Sequence, residues 1–339
     1  MSRIDTIAVF YGSDSSEWEV ACRSGEFTAS NIDDTRYNIY EVFARFGKWQ
    51  LAAYRKKNSM RVTFPEGARP EIDKTDCSVR VLGEKVKFDY VYIMQHGAPG
   101  ETGLLQGYFE MLGIPFSSCS AFVSTVAFDK FACKSYLRDV DFVKLAPDAF
   151  IRKGASVEDF AAEVASKLSF PVFVKPTNGG SSFGITKVKK AADVASAVNY
   201  AFTEGSTVIV EQGISGRELT CAAYFDGTDV RALPAIEIVT ENDYFDYDAK
   251  YNGHSSEICP APITDDELKV LQETTCKIYK RLGCKGIVRV DYIMAEDGLY
   301  FLEVNTVPGM TKMSLIPNQS RAAGISVREF INILLEEAK

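Results

Sequence analysis

The segment from Lys285 to Thr311 restricts the possible folds of this chain more than any other part of its sequence. Apolar and polar residues alternate along it with the period of two that is typical of a β-strand, and Glu296-Asp297-Gly298 interrupts the pattern. A three-residue loop that ends in glycine is a common closure of a β-hairpin. The pattern therefore predicts a hairpin whose apolar face carries Val288, Val290, Tyr292 and Met294 on the first strand and Tyr300, Leu302 and Val304 on the second.

The polar face of this predicted hairpin has the chemistry of a cation site. Its register places Asp291 opposite Glu303, and it also places Arg289 opposite Asn305. Directly opposed residues have Cβ atoms about 5 Å apart, where two carboxylates repel each other unless a cation lies between them. Carboxylate and amide oxygens, without thiolate or imidazole, favour Mg2+ held jointly with substrate phosphates. A merely solvated face is the alternative, but the polar cluster runs into the turn Pro308-Gly309-Met310, which can present backbone N–H groups to an anion, so the cation is favoured.

Composition and charge exclude several classes of function. The 339 residues can bury a large core and should divide into two or three domains. A net charge of -8 and the lack of a lysine-rich run argue against a nucleic-acid partner. The eight cysteines include no C-x-x-C pair, which favours reduced thiols. The sequence shows no secretory signal and no apolar run long enough to cross a bilayer, so we expect a cytoplasmic protein with no membrane partner.

The start of the chain predicts an open α/β unit. A buried strand at Ile4–Phe10 leads through a polar loop into a helix at about Glu17–Ser30. Such folds bind ligands at the carboxyl ends of their strands, although no G-x-G-x-x-G supports a dinucleotide here. Glu17 either offsets the helix dipole or contacts a ligand. His96 follows another predicted strand and is either a buried structural histidine or a residue on the substrate side.

A second region has features of phosphate binding. The stretch from Lys175 to Gly184 reads as the glycine- and serine-rich tip of a β-hairpin, and it is not a Walker A loop. Such a tip brings backbone N–H groups close to phosphate oxygens, with Lys175 adding positive charge. An ordinary surface turn is the alternative. Lys130 lies in the helical stretches near Ala121–Arg138 that lead into this region.

Two further stretches resemble parts of a nucleotide site. The strand Val208–Val210 ends at Glu211-Gln212, where a strand edge can present backbone donors and acceptors to a purine, and Glu218 follows shortly. The stretch from Thr240 to Pro262 is long and irregular. Loops of that length are usually lids or disordered segments, and the many aromatic residues favour a lid that packs onto something.

Together these motifs resemble those of the ATP-grasp superfamily and, within it, the D-alanine–D-alanine ligases. The resemblance covers nearly the whole chain and rests on the motifs SSEWEV (15–20), HGxxGExGxxQG (96–107), VKP with GSSFG (174–184), EQGISGRE (211–218), DYDAKY (246–251), RVD (289–291) and LEVNTVPGMT (302–311). It implies an α/β (α+β) protein of three-domain ATP-grasp architecture. The implied parts are an N-terminal open α/β domain at 1–121, a central ATP-grasp subdomain with the phosphate loop at 122–211, and a C-terminal ATP-grasp subdomain with the lid and metal site at 212–339.

The resemblance also implies a reaction. An ATP-dependent ligase of this kind joins two D-alanine molecules into D-alanyl-D-alanine for peptidoglycan and releases ADP and phosphate. The carboxylate of the first substrate takes the γ-phosphoryl group, and the amine of the second attacks the acyl phosphate. The implied cofactors are ATP and two Mg2+ (or Mn2+) ions. The implied partners are these small-molecule substrates, and we expect a homodimer.

Residue roles follow from the same resemblance. The residues matching the family's ATP contacts are Lys130 and Lys175 on the phosphates, Glu211, Gln212 and Ile214 on adenine, Glu218 on the ribose, and Tyr244 and Lys250 from the lid. The residues matching its metal ligands are Asp291, Glu303 and Asn305. The residues matching its substrate and catalytic groups are the triad Glu17, Ser181 and Tyr251, with His96 nearby, Arg289 and the N–H of Gly309 for the oxyanion, and Ser314 and Leu315 for the second substrate.

The sequence departs from the family at four positions, which are Tyr11, Thr102, Gln212 and Val307. None of them removes a metal ligand or a triad member, although Gln212 replaces a common lysine at the adenine edge. A D-alanine–D-lactate or D-alanine–D-serine ligase is the nearest alternative, because related lactate-using enzymes carry a lid histidine where Tyr251 stands here and His254 is close. An inactive ATP-binding module and a nicotinamide-dependent oxidoreductase are more distant alternatives. The intact polar hairpin argues against the first, and the missing glycine fingerprint against the second.

Overall fold

The computed structural model describes residues 4–179, 183–240 and 255–337. The elements of the first part of the chain are β1 (Thr6–Gly12), α1 (Trp18–Asn31), β2 (Asn38–Arg45), β3 (Lys48–Arg55), β4 (Val62–Thr63), β5 (Ile72–Asp73), β6 (Ser78–Val81), β7 (Glu84–Lys87), β8 (Tyr90–Ile93) and α2 (Leu104–Leu112). Five of these strands form a sheet with the order β4-β3-β2-β1-β8, in which β1 is parallel to both β2 and β8. The strands β5, β6 and β7 form a small separate sheet. The predicted strand, loop and helix at the start of the chain are confirmed.

The packing of α1 on β1 depends on one glycine. A Cβ at Gly25 would overlap the ring of Tyr11, which is buried against this helix. The chain therefore accommodates its unusual Tyr11 by having no side chain at the facing position of α1.

The elements of the second part of the chain are α3 (Ala121–Phe128), α4 (Lys130–Tyr136), β9 (Lys144–Leu145), β10 (Asp148–Arg152), α5 (Val157–Lys167), β11 (Val172–Pro176), β12 (Thr186–Val188), α6 (Val194–Glu204) and β13 (Thr207–Gln212). Four of these strands form a second sheet, which is antiparallel with the order β10-β13-β11-β12, and two helices cover it. The hairpin predicted around the glycine- and serine-rich stretch is confirmed, since β11 and β12 pair antiparallel.

The helical stretch predicted at 121–138 is two helices that meet at Asp129. The Asp129 carboxylate caps α4 by accepting from the N–H of Ala132 (2.8 Å) and also accepts from the hydroxyl of Thr177 (2.8 Å). The N–H of Lys130 donates to the carbonyl of Thr177 (2.9 Å). The break in the helix therefore fixes Lys130 against the end of β11.

A third sheet carries the hairpin on which the fold prediction depends. The elements of this part are β14 (Arg217–Phe225), β15 (Val230–Ala232), β16 (Ile236–Thr240), β17 (Ser255–Ile258), α7 (Asp265–Leu282), β18 (Ile287–Ala295), β19 (Gly298–Asn305), α8 (Leu315–Ala322) and α9 (Val327–Glu337). The strand order of the sheet is β17-β16-β14-β18-β19-β9, with β15 paired to β14. A capping box between Thr264 and Glu267 starts α7, and Gly283 in the left-handed conformation ends it. None of the helices in these residues is long and apolar enough to span a membrane.

The predicted register at the polar end of this hairpin is confirmed, whereas the predicted apolar face of its second strand is partly wrong. Asp291 pairs with Glu303 and Arg289 with Asn305, but Ala295 pairs with Gly298, so the connecting loop is one residue shorter than predicted. A β-bulge at Leu302 restores the register. It also shifts the alternation of side chains, so Leu299 and Phe301 are buried in place of Tyr300 and Leu302, and only Val304 stays on the core face as expected.

Candidate active site

The polar end of the β18–β19 hairpin is organised around Asp291. The guanidinium of Arg289 donates to both carboxylate oxygens, through Nε at 2.9 Å and Nη2 at 2.8 Å. The hydroxyl of Thr220 on the neighbouring strand β14 donates to Oδ1 at 2.6 Å, and the Asn305 amide donates to Oδ2 at 3.0 Å. These four donors fix the Asp291 carboxylate in one orientation on the face where the sequence predicted it.

Glu303 faces the same site from the opposite strand. Its Oε2 lies 3.3 Å from Nζ of Lys130, and its side chain is 30% exposed, against 14% for Asp291. Lys130 also donates to the carbonyl of Gly179 at 3.2 Å, at the described edge of the predicted phosphate loop. One lysine therefore connects the acidic hairpin to that loop.

The hairpin supplies hard-oxygen ligands that suit Mg2+. Within the parts of the chain that the structure describes, no group of three or more His, Cys, Asp or Glu side chains could hold a metal ion, so the available set is the two carboxylates and the Asn305 amide. That set fits a cation shared with substrate phosphates. Each carboxylate offers about four acceptor positions, and Asp291 uses all four, so cation binding requires Arg289 or the Asn305 amide to give up a contact.

A second carboxylate, Glu211 at the end of β13, is buried between two lysines. Its Oε1 accepts from Nζ of Lys134 at 2.6 Å, and its Oε2 accepts from Nζ of Lys175 at 2.7 Å. Burial alone would raise the pKa of Glu211, but the charges of Lys175 and Lys134 outweigh it and lower that pKa to about 2. Burial alone would likewise lower the pKa of Lys175, but Glu211 outweighs it and raises that pKa. Glu211 and Lys175 are therefore a fully ionised pair.

Lys134 is a member of this site that the sequence prediction missed. Its side chain is 0% exposed, and its Nζ also contacts Oδ2 of Asp148 (2.8 Å) and the carbonyl of Ala146 (2.9 Å). Lys134 stands four residues after Lys130 in helix α4, which places the two lysines on one side of the helix. That spacing is visible in the sequence, but it does not show that Lys134 is buried.

Three other residues predicted to contact the nucleotide, Gln212, Ile214 and Glu218, follow Glu211 closely in the chain. The Gln212 side chain accepts from the N–H of Ser169 at 3.1 Å, and Ile214 lies two residues further along the chain in the loop between β13 and β14. Glu218 lies on β14 opposite Ile238, and its charge is one of those that raise the pKa of Lys175. The structure thus brings the lysines and the acidic residues of the predicted nucleotide site together.

His96 is buried and connects two distant parts of the chain. Its Nδ1 lies 2.9 Å from the carbonyl of Val307, and because a carbonyl only accepts, Nδ1 carries the proton. Its Nε2 therefore accepts from the hydroxyl of Ser24 (2.9 Å), and the Ser24 oxygen in turn accepts from the N–H of Met310 (3.3 Å). Burial lowers the pKa of His96, which favours this neutral form. His96 and Ser24 thus hold both ends of the loop that contains Gly309.

Glu101 is a further contact to this loop that the sequence prediction did not assign. Its Oε2 accepts from the N–H of Gly97 at 2.7 Å, and its Oε1 accepts from the N–H of Val307 at 3.3 Å. Burial, with a smaller contribution from the charge of Glu17, raises the pKa of Glu101 to about 8. The carboxylate of Glu17 at the start of α1 therefore lies on the same side of the site as His96 and Glu101.

Ser314 lies next to the Gly309 turn. Its hydroxyl oxygen accepts from the N–H of Thr311 at 2.9 Å and lies 2.7 Å from the Thr311 hydroxyl. A Cβ added at Gly309 would lie 3.0 Å from the Ser314 oxygen. Leu315 follows as the first residue of α8. The candidate oxyanion donor and the candidate second-substrate residues are therefore neighbours.

Four of the predicted site residues lie outside the residues that the structure describes. They are Ser181 in the phosphate loop and Tyr244, Lys250 and Tyr251 in the predicted lid.

Comparison with known proteins gives a consistent family. The model described as "D-ala D-ala ligase N-terminus" matches residues 6–119, and the model described as "D-ala D-ala ligase C-terminus" matches residues 136–336. The chain is 42% identical to a D-alanine–D-alanine ligase of Phocaeicola vulgatus over 332 residues. This alignment covers 98% of each of the two chains. It is 43% identical over 333 residues to a D-alanine–D-alanine ligase of Parabacteroides distasonis, which covers 98% of this chain and 96% of that relative.

Solved structures agree with these relatives in fold. The VanG D-Ala:D-Ser ligase of Enterococcus faecalis has a TM-score of 0.87 and 29% identity, over 99% of this chain and 100% of that one. The D-alanyl-alanine synthetase A of Vibrio cholerae has a TM-score of 0.84 at 24% identity, over 100% of this chain and 99% of that one.

Proposed function

The chain belongs to the D-alanine–D-alanine ligase family, and from this premise we propose how its own residues carry out the reaction. The protein is an ATP-dependent ligase that joins two molecules of D-alanine into D-alanyl-D-alanine for peptidoglycan, with release of ADP and phosphate. The observation that carries the assignment of its site is the confirmed pairing of Asp291 with Glu303, directly beside Lys130.

The phosphate side of the site consists of fixed positive charges and the acidic hairpin. Lys130 and Lys175 hold the phosphates of ATP, and both are already oriented by neighbouring acidic groups. Asp291, Glu303 and Asn305 would hold Mg2+ or Mn2+, with two ions as the expected number. When bound, such ions would neutralise charge on the phosphoryl group that is transferred.

The base side of the site lies at the end of β13. Glu211, Gln212 and Ile214 contact adenine, and Glu218 contacts the ribose. Glu211 supports this role because it is ionised, and its position is fixed by Lys134 and Lys175. Tyr244 and Lys250 complete the nucleotide site from the lid in this proposal.

The substrate side depends on the loop that His96, Ser24 and Glu101 hold. Glu17, with His96 on its side, binds the ammonium group of the first D-alanine, and Ser181 and Tyr251 close the triad. When the amine of the second D-alanine attacks the acyl phosphate, Arg289 and the N–H of Gly309 stabilise the developing oxyanion. Ser314 and Leu315 bind the second substrate, and the closeness of Ser314 to Gly309 supports this placement.

Three broader statements belong to the same proposal. The chain divides into domains at 1–121, 122–211 and 212–339, and the three largest sheets follow this order along the chain, except that β9 at Lys144–Leu145 joins the third. The protein is cytoplasmic, and its eight free cysteines suit a reducing compartment.

The protein is also a homodimer in this proposal. Exposed apolar side chains on the neighbouring helices α2 and α3 offer a surface for a second copy, and they are Leu104, Met111 and Phe122. Light scattering on the purified protein tests the last statement, and a monomer mass would refute it.

The reaction is tested by measuring phosphate release from ATP with and without D-alanine. We expect release that depends on D-alanine and an equal amount of D-alanyl-D-alanine by mass spectrometry. Phosphate release that is the same without D-alanine, or release without dipeptide, would contradict the assignment.

The same assay should also compare acceptor substrates, because the structurally similar VanG protein is a D-Ala:D-Ser ligase. We expect D-alanyl-D-alanine to dominate when D-alanine, D-serine and D-lactate compete at neutral pH. Predominant D-alanyl-D-serine or D-alanyl-D-lactate would change the acceptor and leave the ATP-dependent activation of D-alanine intact.

A further inference from the structure

Lys134 is a buried charge for which the proposed reaction gives no direct use. Its side chain is 0% exposed, and its Nζ donates hydrogen bonds to Glu211 and to the carbonyl of Ala146 and forms an ion pair with Asp148 at 2.8 Å. Removing a lysine from water carries a large free-energy cost, so such a residue persists when its partners need the charge. Of these partners, Glu211 is the one that belongs to the proposed nucleotide site.

The two lysines hold the two oxygens of Glu211 separately. Lys134 approaches Oε1 at 2.6 Å from helix α4, and Lys175 approaches Oε2 at 2.7 Å from strand β11. Lys175 also lies among the groups proposed for the phosphates. With Lys175 as its only cation, the carboxylate would be attracted toward the phosphate side, whereas Lys134 holds it from the opposite oxygen. Each oxygen keeps a lone pair for a further donor.

We propose that Lys134 is a positioning residue that sets the base specificity of the nucleotide site through Glu211. This inference rests on the proposed function, in which Glu211 faces the base. Lys134 keeps Glu211 ionised and oriented so that it accepts an N–H from a 6-amino purine. A 6-oxo purine presents a carbonyl oxygen at the same place, and two acceptors repel each other.

The surface end of the same charge network provides a matched control. Arg138 contacts Asp148 at 2.7 Å, on the oxygen that Lys134 does not contact, and its side chain is 45% exposed. Arg138→Met therefore removes a cation from the same acidic partner without touching Glu211. A purely structural role of the network would make both variants behave alike.

The test is calorimetric binding of ATP and of ITP, its 6-oxo analogue, to the full-length chain. We expect the wild type to bind ATP about ten- to hundredfold more tightly than ITP, the range of a hydrogen bond to a charged group. Lys134→Met should reduce the ratio of ATP affinity to ITP affinity to within about threefold of unity, mainly by weakening the binding of ATP. Arg138→Met should leave this ratio unchanged. In the ligase assay Lys134→Met should raise KM for ATP and leave KM for D-alanine unaltered.

A second variant covers the case in which Lys134→Met does not fold. The double variant Lys134→Met/Glu211→Gln removes the buried cation together with the carboxylate that needs it, and it should show the same loss of the ATP-to-ITP ratio. A wild type that binds both nucleotides equally, or a Lys134 variant that keeps the full ratio, would overturn the inference. No binding of ATP to the wild type would instead refute the proposed function, so the two failures are distinguishable.

Discussion

The two carboxylate centres of this molecule compensate negative charge in different ways. The base-side cluster, which consists of Lys134, Asp148, Lys175 and Glu211, is buried, and a lysine binds each oxygen of Glu211. In the hairpin cluster, which consists of Arg289, Asp291, Glu303 and Asn305, neighbours on the sheet bind Asp291, while Glu303 is 30% exposed and lies 3.3 Å from Lys130. Under the proposed function the base-side cluster is therefore preformed to recognise the nucleotide, whereas the hairpin cluster must exchange contacts to bind a cation.

The substitution with the largest expected effect is Glu303→Gln in the hairpin cluster. Bridging ions supply several kcal/mol of transition-state stabilisation, and each 1.36 kcal/mol is a factor of ten, so kcat should fall by about a thousandfold. Steady-state kinetics measure this. Glu296→Gln in the exposed turn of the same hairpin is the matched control and should keep wild-type activity. Equal activity of the two variants would contradict the claim that the hairpin cluster holds a divalent ion through Glu303.

Arg289→Lys should have the next largest effect. Lysine keeps the positive charge but cannot form the two-pronged contact to Asp291, and it cannot reproduce the donors proposed for the oxyanion. Loss of one oxyanion donor costs about a hundredfold in kcat, so we expect a fall of about that size. Arg217→Lys is the control, because Arg217 makes the same kind of contact to Glu237 on the neighbouring strands. A parallel fall in both variants would indicate a structural effect.

Glu211→Gln should lower the free energy of unfolding by an amount that depends on pH, because it removes the ionised carboxylate of the base-side cluster. The pKa of Glu211 is about 2 in the folded protein and about 4.3 in an unfolded chain, so its stabilisation is complete above about pH 5 and is lost as the pH falls toward 2. At pH 7 the variant should be less stable by about 3 kcal/mol, and this gap should narrow between pH 5 and pH 3.

Urea unfolding at several pH values measures this effect. Glu163→Gln, which removes an exposed partner of Lys167, should change stability by less than about 1 kcal/mol at every pH. A gap for Glu211→Gln that stays constant down to pH 3 would contradict an ionised carboxylate with a lowered pKa.

Ser24→Ala should have the smallest effect, because Ser24 touches neither carboxylate cluster. It removes the acceptor of the Met310 N–H and the donor to His96, so the Gly309 turn is held less firmly. Loss of a buried hydrogen bond predicts a fall in kcat of about tenfold with an unchanged KM for ATP. Ser30→Ala, at an exposed position of α1, should have wild-type kinetics. A fall in the Ser24 variant that appears only in KM for ATP would refute this positioning role.

The parts of the site that depend on local pattern could be predicted from the sequence. The pairing of Asp291 with Glu303 follows from alternation within one hairpin, and the structure confirms it. The bulge at Leu302 could not be predicted, because an extra residue in one strand leaves the alternation on both sides of it interpretable in either phase.

Contacts between distant parts of the chain could not be predicted from the local alternation of apolar and polar residues. Lys134 meets Ala146 and Glu211 across 12 and 77 positions, and His96 meets Val307 across 211. The sequence marked His96 by its place after a strand, but a lysine within a helix has no signal that separates a buried partner from a surface charge. Burial and charge pairing of this kind are properties of the folded arrangement alone.

The most direct test of the account is Mn2+ binding measured by electron paramagnetic resonance in the presence of a non-hydrolysable ATP analogue. We expect the wild type to bind Mn2+ together with the nucleotide, and Asp291→Asn and Glu303→Gln each to weaken that binding strongly. Wild-type Mn2+ affinity in both variants would contradict the claim that the paired hairpin carboxylates hold the divalent ion.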